Sequence, residues 1–272
     1  MKKVIILLTL ILNSTLFAQS PYKNPSWTLD GGLLLGAVGL KGIISAIENN
    51  VKTLTLEQLN NLNREDVNRF DRNATHQNSE FARNNTGFVT MGSFVVPAFL
   101  FTSSKVRSDW GRFSLIYLET FLLTGGITDV VKNLAQRTRP YVYNPDVPLD
   151  GYDYKEFDNK VDNKDAHKSF FSSDVSLAFS LATMTSIVYN DYYPDSKLKP
   201  YVWGGTMAYA GFVAYLRYAC GWHYPTDIIS AALVGSTIGW LIPYLHKNDG
   251  LSVGTSYQPH NNTPMVMFSF RF

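Results

Sequence analysis

Arg217, His223 and Asp227 fall within one stretch, Ala214 to Ser230, at a spacing that suits a chemical task. Arg217 offers a planar fork for an oxyanion, His223 a ring nitrogen able to act as a nucleophile, and Asp227 a carboxylate able to hold the imidazole. Pro225 suits the first turn of the helix implied by the apolar run Ile228 to Leu245. That places His223 just ahead of the helix and Asp227 within its first turns. From there the carboxylate can accept from one ring nitrogen and leave the other aimed outward, the orienting logic of a catalytic triad. A solvated arginine, a loop histidine and a helix-start aspartate would give the same pattern, so the stretch needs partners before it counts as a site.

Two other segments offer them. In Lys132-Asn-Leu-Ala-Gln-Arg-Thr-Arg139-Pro140 the terminal cations are seven apart, which predicts two turns of one helix face, convergence on a single anion, and a helix stop at Pro140. A basic, solvated helix end is the plainer alternative. Ser169 to Ser176, SFFSSDVS, opens another apolar run, and a helix start there leaves backbone N–H groups for an anion, with Ser172 adding a hydroxyl. An ordinary serine or aspartate cap would look the same.

Taken together, Lys-x6-Arg-Pro, a Ser-rich helix start and Arg-x5-His-x3-Asp resemble the type 2 phosphatidic acid phosphatase and vanadium haloperoxidase superfamily over Lys132 to Asp227. The resemblance implies an all-α bundle with its site at the helix ends. His223 would attack phosphorus to form a phosphohistidine, Asp227 would orient it, and Lys132, Arg139 and Arg217 would hold the non-bridging oxygens. Ser172 and the backbone around Ser173 would complete the cradle, with no metal or cofactor needed. Charge alone supports the same roles, because three cations neutralise a phosphoryl group whose transition state spreads charge over its equatorial oxygens.

Two positions depart from the family pattern. Where it reads Pro-Ser-Gly-His this chain has Phe171, Ser172, Ser173 and Asp174, so an aspartate stands in place of the histidine that protonates the leaving group. The serine that usually precedes the third-motif arginine is Leu216. An unperturbed aspartate is ionised near neutral pH, so Asp174 weakens the acid step, and His167, seven residues earlier, is a candidate substitute.

The elements that must position these residues read as one all-α domain. The 272 residues contain six apolar runs, Gly31 to Ile47, Gly87 to Thr102, Phe113 to Val131, Val175 to Tyr189, Tyr201 to Tyr218 and Ile228 to Leu245, each longer than a strand and without period-two alternation. They predict a bundle of about six long helices over residues 19–250. A polar stretch, Leu56 to Asn85, reads as a solvated helix and loop, with His76 at the surface. In the 251–272 tail, Val266, Phe268, Phe270 and Phe272 alternate with other residues, which predicts a hairpin with LSVGTSY, docked on the bundle. Cys220 is the single cysteine, which excludes an internal disulfide and fits a buried filler.

Residues 1 to 20 carry two lysines, an apolar run and Ala18, the pattern of a secretory signal cleaved before Gln19, and predict a periplasmic or envelope protein. The net charge of +2 gives no footprint for nucleic acid. A mean hydropathy of −0.08 and the serines and threonines of Val175 to Tyr189 weigh against a mostly lipid-facing chain. Lys105, Arg107 and Arg112 nevertheless resemble a positive-inside turn. The balance favours a periplasmic bundle resting on a membrane. The function that follows is an exported phosphatase acting on a phosphomonoester or a lipid (pyro)phosphate. A phosphate- or lipid-binding protein that lost the acid would release no phosphate from any substrate. A vanadate-dependent haloperoxidase would oxidise halide once loaded. Nothing in the sequence sets an oligomeric state.

Overall fold

A computed structural model describes residues 20–150, 159–248, 252–258 and 263–269. The expected signal over 1–18 lies outside the described residues, as do His260 and the closing Phe272 of the tail. Eight α-helices are described: α1 (Leu29–Ile47), α2 (Leu56–Asn60), α3 (Glu80–Val95), α4 (Ser104–Ser108), α5 (Trp110–Ala135), α6 (Ser173–Tyr192), α7 (Lys199–Ala219) and α8 (Pro225–His246). Six are long, as the apolar runs predict, and the described residues are all-α apart from an antiparallel hairpin. That hairpin pairs β1 (Ser252–Gln258) with β2 (Thr263–Ser269) in the register Ser252↔Ser269 to Gln258↔Thr263.

Local chemistry sets the helix starts. The hydroxyls of Ser79, Ser103 and Ser172 cap α3, α4 and α6 by accepting from Ala82 N, Val106 N and Val175 N, and Pro225 opens α8 at its first turn. The polar stretch after α1 holds only the short α2 and 3₁₀ turns at Arg64–Asp66 and Arg72–His76, and His76 is exposed as expected. Helix α3 begins at Glu80, seven residues before its apolar run.

The six long helices alternate in direction. Contacts from Ser79 N to Ala219 O and from Lys164 Nζ to Glu48 O gather the start of α3 and the ends of α1 and α7 at one end of the bundle. Contacts from Lys23 N to His246 O and from Ser103 to Tyr193 mark the other end.

Helix α6 runs through the centre. Leu181, Met184 and Val188 meet Phe113 and Ile116 of α5 and Ile238 and Ile242 of α8 in the main core. Its small residues are the reason neighbours can close on it. A Cβ added at Gly235 or Gly239 would collide with the main-chain carbonyls of Ser176 and Ser180, so the Gly-x3-Gly face of α8 lies directly on the α6 backbone. The serines and threonines of this segment therefore mark an enclosed helix and say nothing against a lipid-facing exterior.

That exterior is apolar. Four segments, Leu29–Asn50, Glu80–Thr102, Trp110–Tyr143 and Pro225–His246, are long and apolar enough to cross a membrane. Phe88 is 84 % exposed and Leu35 73 %, with Val38, Met91 and Leu233 similarly bare. Surfaces of this kind are those of a membrane-associated protein.

Candidate active site

The end of the bundle where α5 and α7 finish and α6 and α8 begin collects the residues singled out from the sequence. Lys132 lies buried in the last turn of α5. The helix then stops at Ala135, with Gln136 in the left-handed region at φ 43°. Lys132 and Arg139 are therefore not two turns apart on one helix, as their spacing predicts. Arg139 sits in extended backbone (φ −73°, ψ 151°), the conformation that a following proline favours, and Pro140 opens a 3₁₀ turn over Pro140–Tyr143. The strand-like 137–139 segment runs beside the approach to α6, with Arg139 N donating to Ala166 O at 2.8 Å and Ser169 N to Arg137 O at 3.0 Å.

His223 follows a turn that only glycine fits. Gly221 has φ +73°, and a Cβ there would strike the carbonyl of Gln77. The imidazole is buried, 1 % exposed, and its Nδ1 lies 2.8 Å from the carbonyl oxygen of Ser169. A carbonyl can only accept, so Nδ1 carries the proton and Nε2 keeps its lone pair. Nε2 faces Arg139, at 3.5 Å from Nη1. Burial pushes the ring's pKa down to about 3, with the charges of Arg139 and Lys132 acting in the same direction and Asp227 against it. His223 is thus a neutral imidazole with an unprotonated nitrogen turned toward cations.

Asp227, in the first turn of α8, does not hydrogen-bond the ring: Oδ2 is 3.8 Å from Nδ1. The direct partnership read from the spacing is replaced by an indirect one. Oδ2 accepts from Ser169 Oγ at 2.5 Å and from Tyr224 N at 2.9 Å, while Oδ1 accepts from Arg137 at 2.5 Å. The aspartate thus holds the Ser169 residue whose carbonyl holds the histidine.

Arg137 is the main residue that the spacing argument passed over. It bridges Asp227 and Asp71, the latter at 2.7 Å, and stacks 4.0 Å over the Tyr224 ring. Asp71 in turn accepts from Thr226 N at 3.0 Å and Thr226 Oγ1 at 2.6 Å. The QRTRP segment contained the signal, a third cation between the two chosen. Asp71 lies far upstream in a polar loop with no local mark.

Arg217 ends α7, buried at 5 % exposure. Nη2 contacts Asp174 Oδ2 at 3.0 Å and Thr90 Oγ1 at 3.1 Å, and its guanidinium lies 4.7 Å from the Trp222 ring. Its Nε is buried and has no partner among the described residues. A buried cationic donor left unmatched is costly, and an anion seated beside it removes that cost. Against the effect of burial, the charges of Arg217, Lys132, His223 and Arg139 all act to lower the pKa of Asp174; Arg217 is in direct contact with it, and Arg139 is in contact with His223. Ser172 is fully buried as the α6 cap, and the first-turn N–H groups at Ser173 and Asp174 have no intrahelical acceptor. His167 sits apart, its Nδ1 3.2 Å from Thr138 Oγ1. Leu216 is core, and Cys220 is buried beside it.

Such an arrangement can bind a tetrahedral oxyanion and present a nitrogen nucleophile to it. The family model of the PAP2 superfamily matches residues 113–251, just over half the chain and the whole of this constellation from Lys132 to Asp227. A solved structure, that of a transmembrane PAP2-type phosphatidylglycerolphosphate phosphatase from Bacillus subtilis, is similar over 79% of this chain and 94% of its own, at 18% identity and a TM-score of 0.46. That likeness is too distant to carry a substrate or a mechanism. No curated protein matches.

Proposed function

The chain belongs to the PAP2 superfamily, a phosphatase family, and from that premise we propose that it hydrolyses a phosphomonoester or a lipid (pyro)phosphate through a phosphohistidine on His223. The observation that carries the reading is the His223 ring: buried, proton on Nδ1, lone pair on Nε2 facing Arg139 at 3.5 Å, with the charge of Lys132 acting on the ring and Arg217 paired to Asp174. Nε2 attacks phosphorus, the ester P–O bond breaks, and the leaving oxygen departs with the bonding pair and is protonated from water. The three cations hold the equatorial oxygens, and the α6 N-terminus adds its N–H groups. As the ring nitrogen gains the phosphoryl group the imidazole becomes cationic, and the Ser169 carbonyl, fixed through Asp227, receives the Nδ1–H throughout. Water then attacks the phosphohistidine and releases phosphate. The apolar sides of α1, α3 and α8 support a substrate delivered from a membrane, hence a lipid phosphate.

A second reading has its own observation. Asp174 is paired to Arg217 at 3.0 Å and ringed by cations, so it is a carboxylate and a poor proton donor to the leaving oxygen. A chain that binds phosphate and turns it over slowly fits that pair. Phosphate release from a panel of lipid and soluble phosphoesters by the purified protein tests both. Release that disappears in His223→Ala supports the enzyme. Vanadate binding weakened by Arg217→Ala, without release from any ester, supports the binding protein.

A further inference from the structure

At the opposite end of the bundle, about 28 Å along α8 from Asp227 by helical rise, lies a second group of polar residues that the phosphatase reading does not use. Asp30 begins α1, Glu119 lies inside α5, and His246 ends α8. All three are buried, at 1 %, 0 % and 5 % exposure. His246 Nε2 is 2.9 Å from Asp30 Oδ1 and 3.1 Å from Glu119 Oε2, and one donor atom from each residue falls within 4.8 Å of the others.

We propose that Asp30, Glu119 and His246 form a binding site for a divalent transition metal of the zinc class, tying α1, α5 and α8 together at the end remote from His223. Three observations carry this. First, His246 Nδ1 lies 2.7 Å from the Ile242 carbonyl, which fixes the proton there and turns Nε2 toward the two carboxylates, as a metal-bound imidazole is held. Second, the protein alone leaves the group unsatisfied. A protonated Nε2 can aim one N–H, and it is aligned on Asp30. Both Glu119 oxygens, fully buried, are left without a hydrogen bond among the described residues. Third, the charge does not close. With Glu119 ionised, two carboxylates and an imidazolium leave one buried negative charge, and the neighbouring Arg112 and Lys247 are engaged with Asp109 and, at 2.7 Å, with Asp191. A divalent ion with a neutral imidazole brings the sum to zero and gives Glu119 its partner.

The donor set, one imidazole and two carboxylates, suits zinc and its neighbours more than calcium or magnesium, which take oxygen ligands in larger number. Tetrahedral bonds of about 2.0–2.1 Å space ligand atoms roughly 3.3 Å apart, close to the separations found from His246 to the two carboxylates. Asp30 is steadied from behind by Ser26 N, which donates to its other oxygen.

The full chain, purified in detergent, stripped with a chelator, exposed to Zn²⁺ and desalted, is expected to retain about one zinc per molecule by elemental analysis. His223→Ala is expected to retain as much, and Glu119→Gln none. Excess Zn²⁺ should raise the melting temperature of the stripped wild type by ~5 °C or more and leave that of Glu119→Gln unmoved. A wild type that keeps less than about a tenth of an equivalent, or a Glu119→Gln chain that keeps as much zinc as wild type, overturns the proposal. Should Glu119→Gln not fold, Co²⁺ loaded into His223→Ala decides. Intense visible bands of a four-coordinate site support the assignment, and the weak spectrum of the hydrated ion refutes it.

Discussion

His223 and Asp227 face each other at 3.8 Å without a hydrogen bond, because the carbonyl of Ser169 has taken the ring's Nδ1 proton and the Ser169 hydroxyl has taken the carboxylate. The orienting element is thus a main-chain group, and the aspartate acts by fixing the segment that bears it. Arg137 locks the far side of the same carboxylate, so the histidine's position is set by a relay from Asp71 through Arg137 and Asp227 to Ser169.

Substitutions along that relay should therefore differ in kind. His223→Ala is expected to abolish phosphate release. Asp227→Asn should lower kcat by roughly 10²-fold or more, since an amide has one acceptor oxygen and cannot accept from both Arg137 and the Tyr224 main-chain N–H. Ser169→Ala loses the Asp227 contact but keeps the main-chain acceptor of the ring, and should lower kcat less than Asp227→Asn does. Steady-state kinetics on one ester measures all three. An Asp227→Asn enzyme with wild-type kcat would show that the carboxylate is dispensable.

Asp71 gives the relay a pH signature. Burial pushes its pKa up, but the hydrogen bonds from Thr226, Arg137 and Asn68 outweigh this and hold it below the usual carboxylate range. A group whose folded pKa is depressed contributes stability above its unfolded value, near 3.8, and loses it as pH falls through the folded value. Thermal melts of wild type are thus expected to fall below about pH 4 more steeply than melts of Asp71→Asn. That variant starts lower at pH 7, because Arg137 keeps only one carboxylate. Parallel acid limbs would remove Asp71 from the account.

Much of this was legible from the chain. Six apolar runs gave the six long helices, and three motifs placed Lys132, Arg139, Asp174, Arg217, His223 and Asp227 at one end of the bundle. What spacing could not show is how the chain leaves α5. A seven-residue interval implies one helix face only while the helix lasts, and it ends at Ala135. The indirect Asp227 contact was hidden for a related reason, since a main-chain acceptor has no side-chain letter to read. Asp71 acts across the fold from a loop, and the Ser/Thr content of α6 misled on membrane character because enclosure by other helices is a property of packing, absent from hydropathy.

In the proposed reaction Asp174 occupies the position that bears on the leaving group. Its ion pair with Arg217 keeps it a carboxylate that repels the bound phosphate, so esters with poor leaving groups should turn over weakly. p-Nitrophenyl phosphate, whose leaving group needs little protonation, should fare relatively better. A positioned general acid contributes ~10² to 10⁴ in rate, and Asp174→His should recover part of that on alkyl phosphates. Equal kcat on alkyl and aryl phosphates at pH 7, with no gain on Asp174→His, would mean that an acid is already in place, and would remove the binding-protein reading with it.

The alternation of the six long helices sharpens the question of which side the site faces. Lys23 N meets His246 O at the same end as Ser103 and Tyr193, so the segment before α1 and the Lys105 to Arg112 turn share one end, and His223 occupies the other. Leu40 of α1 packs against Gly126 of α5, which leaves no arrangement in which α5 crosses a bilayer and α1 stays out of it. In a spanning bundle, a leader cleaved outside before Gln19 would carry the basic turn outside and the site inside, against the positive-inside rule. In a bundle that does not span, the cleaved leader and an outward site agree. The bare apolar flanks at Phe88, Leu35 and Leu233 support membrane association, and a spanning bundle is expected to stay with membranes through alkaline carbonate washing. Cysteines introduced near 105–112 should label only from inside and those near 144–148 only from outside. Release by carbonate, together with a mature chain starting at Gln19, would instead establish a peripheral exported bundle. Labelling of 144–148 only from the cytoplasmic side would overturn the orientation itself.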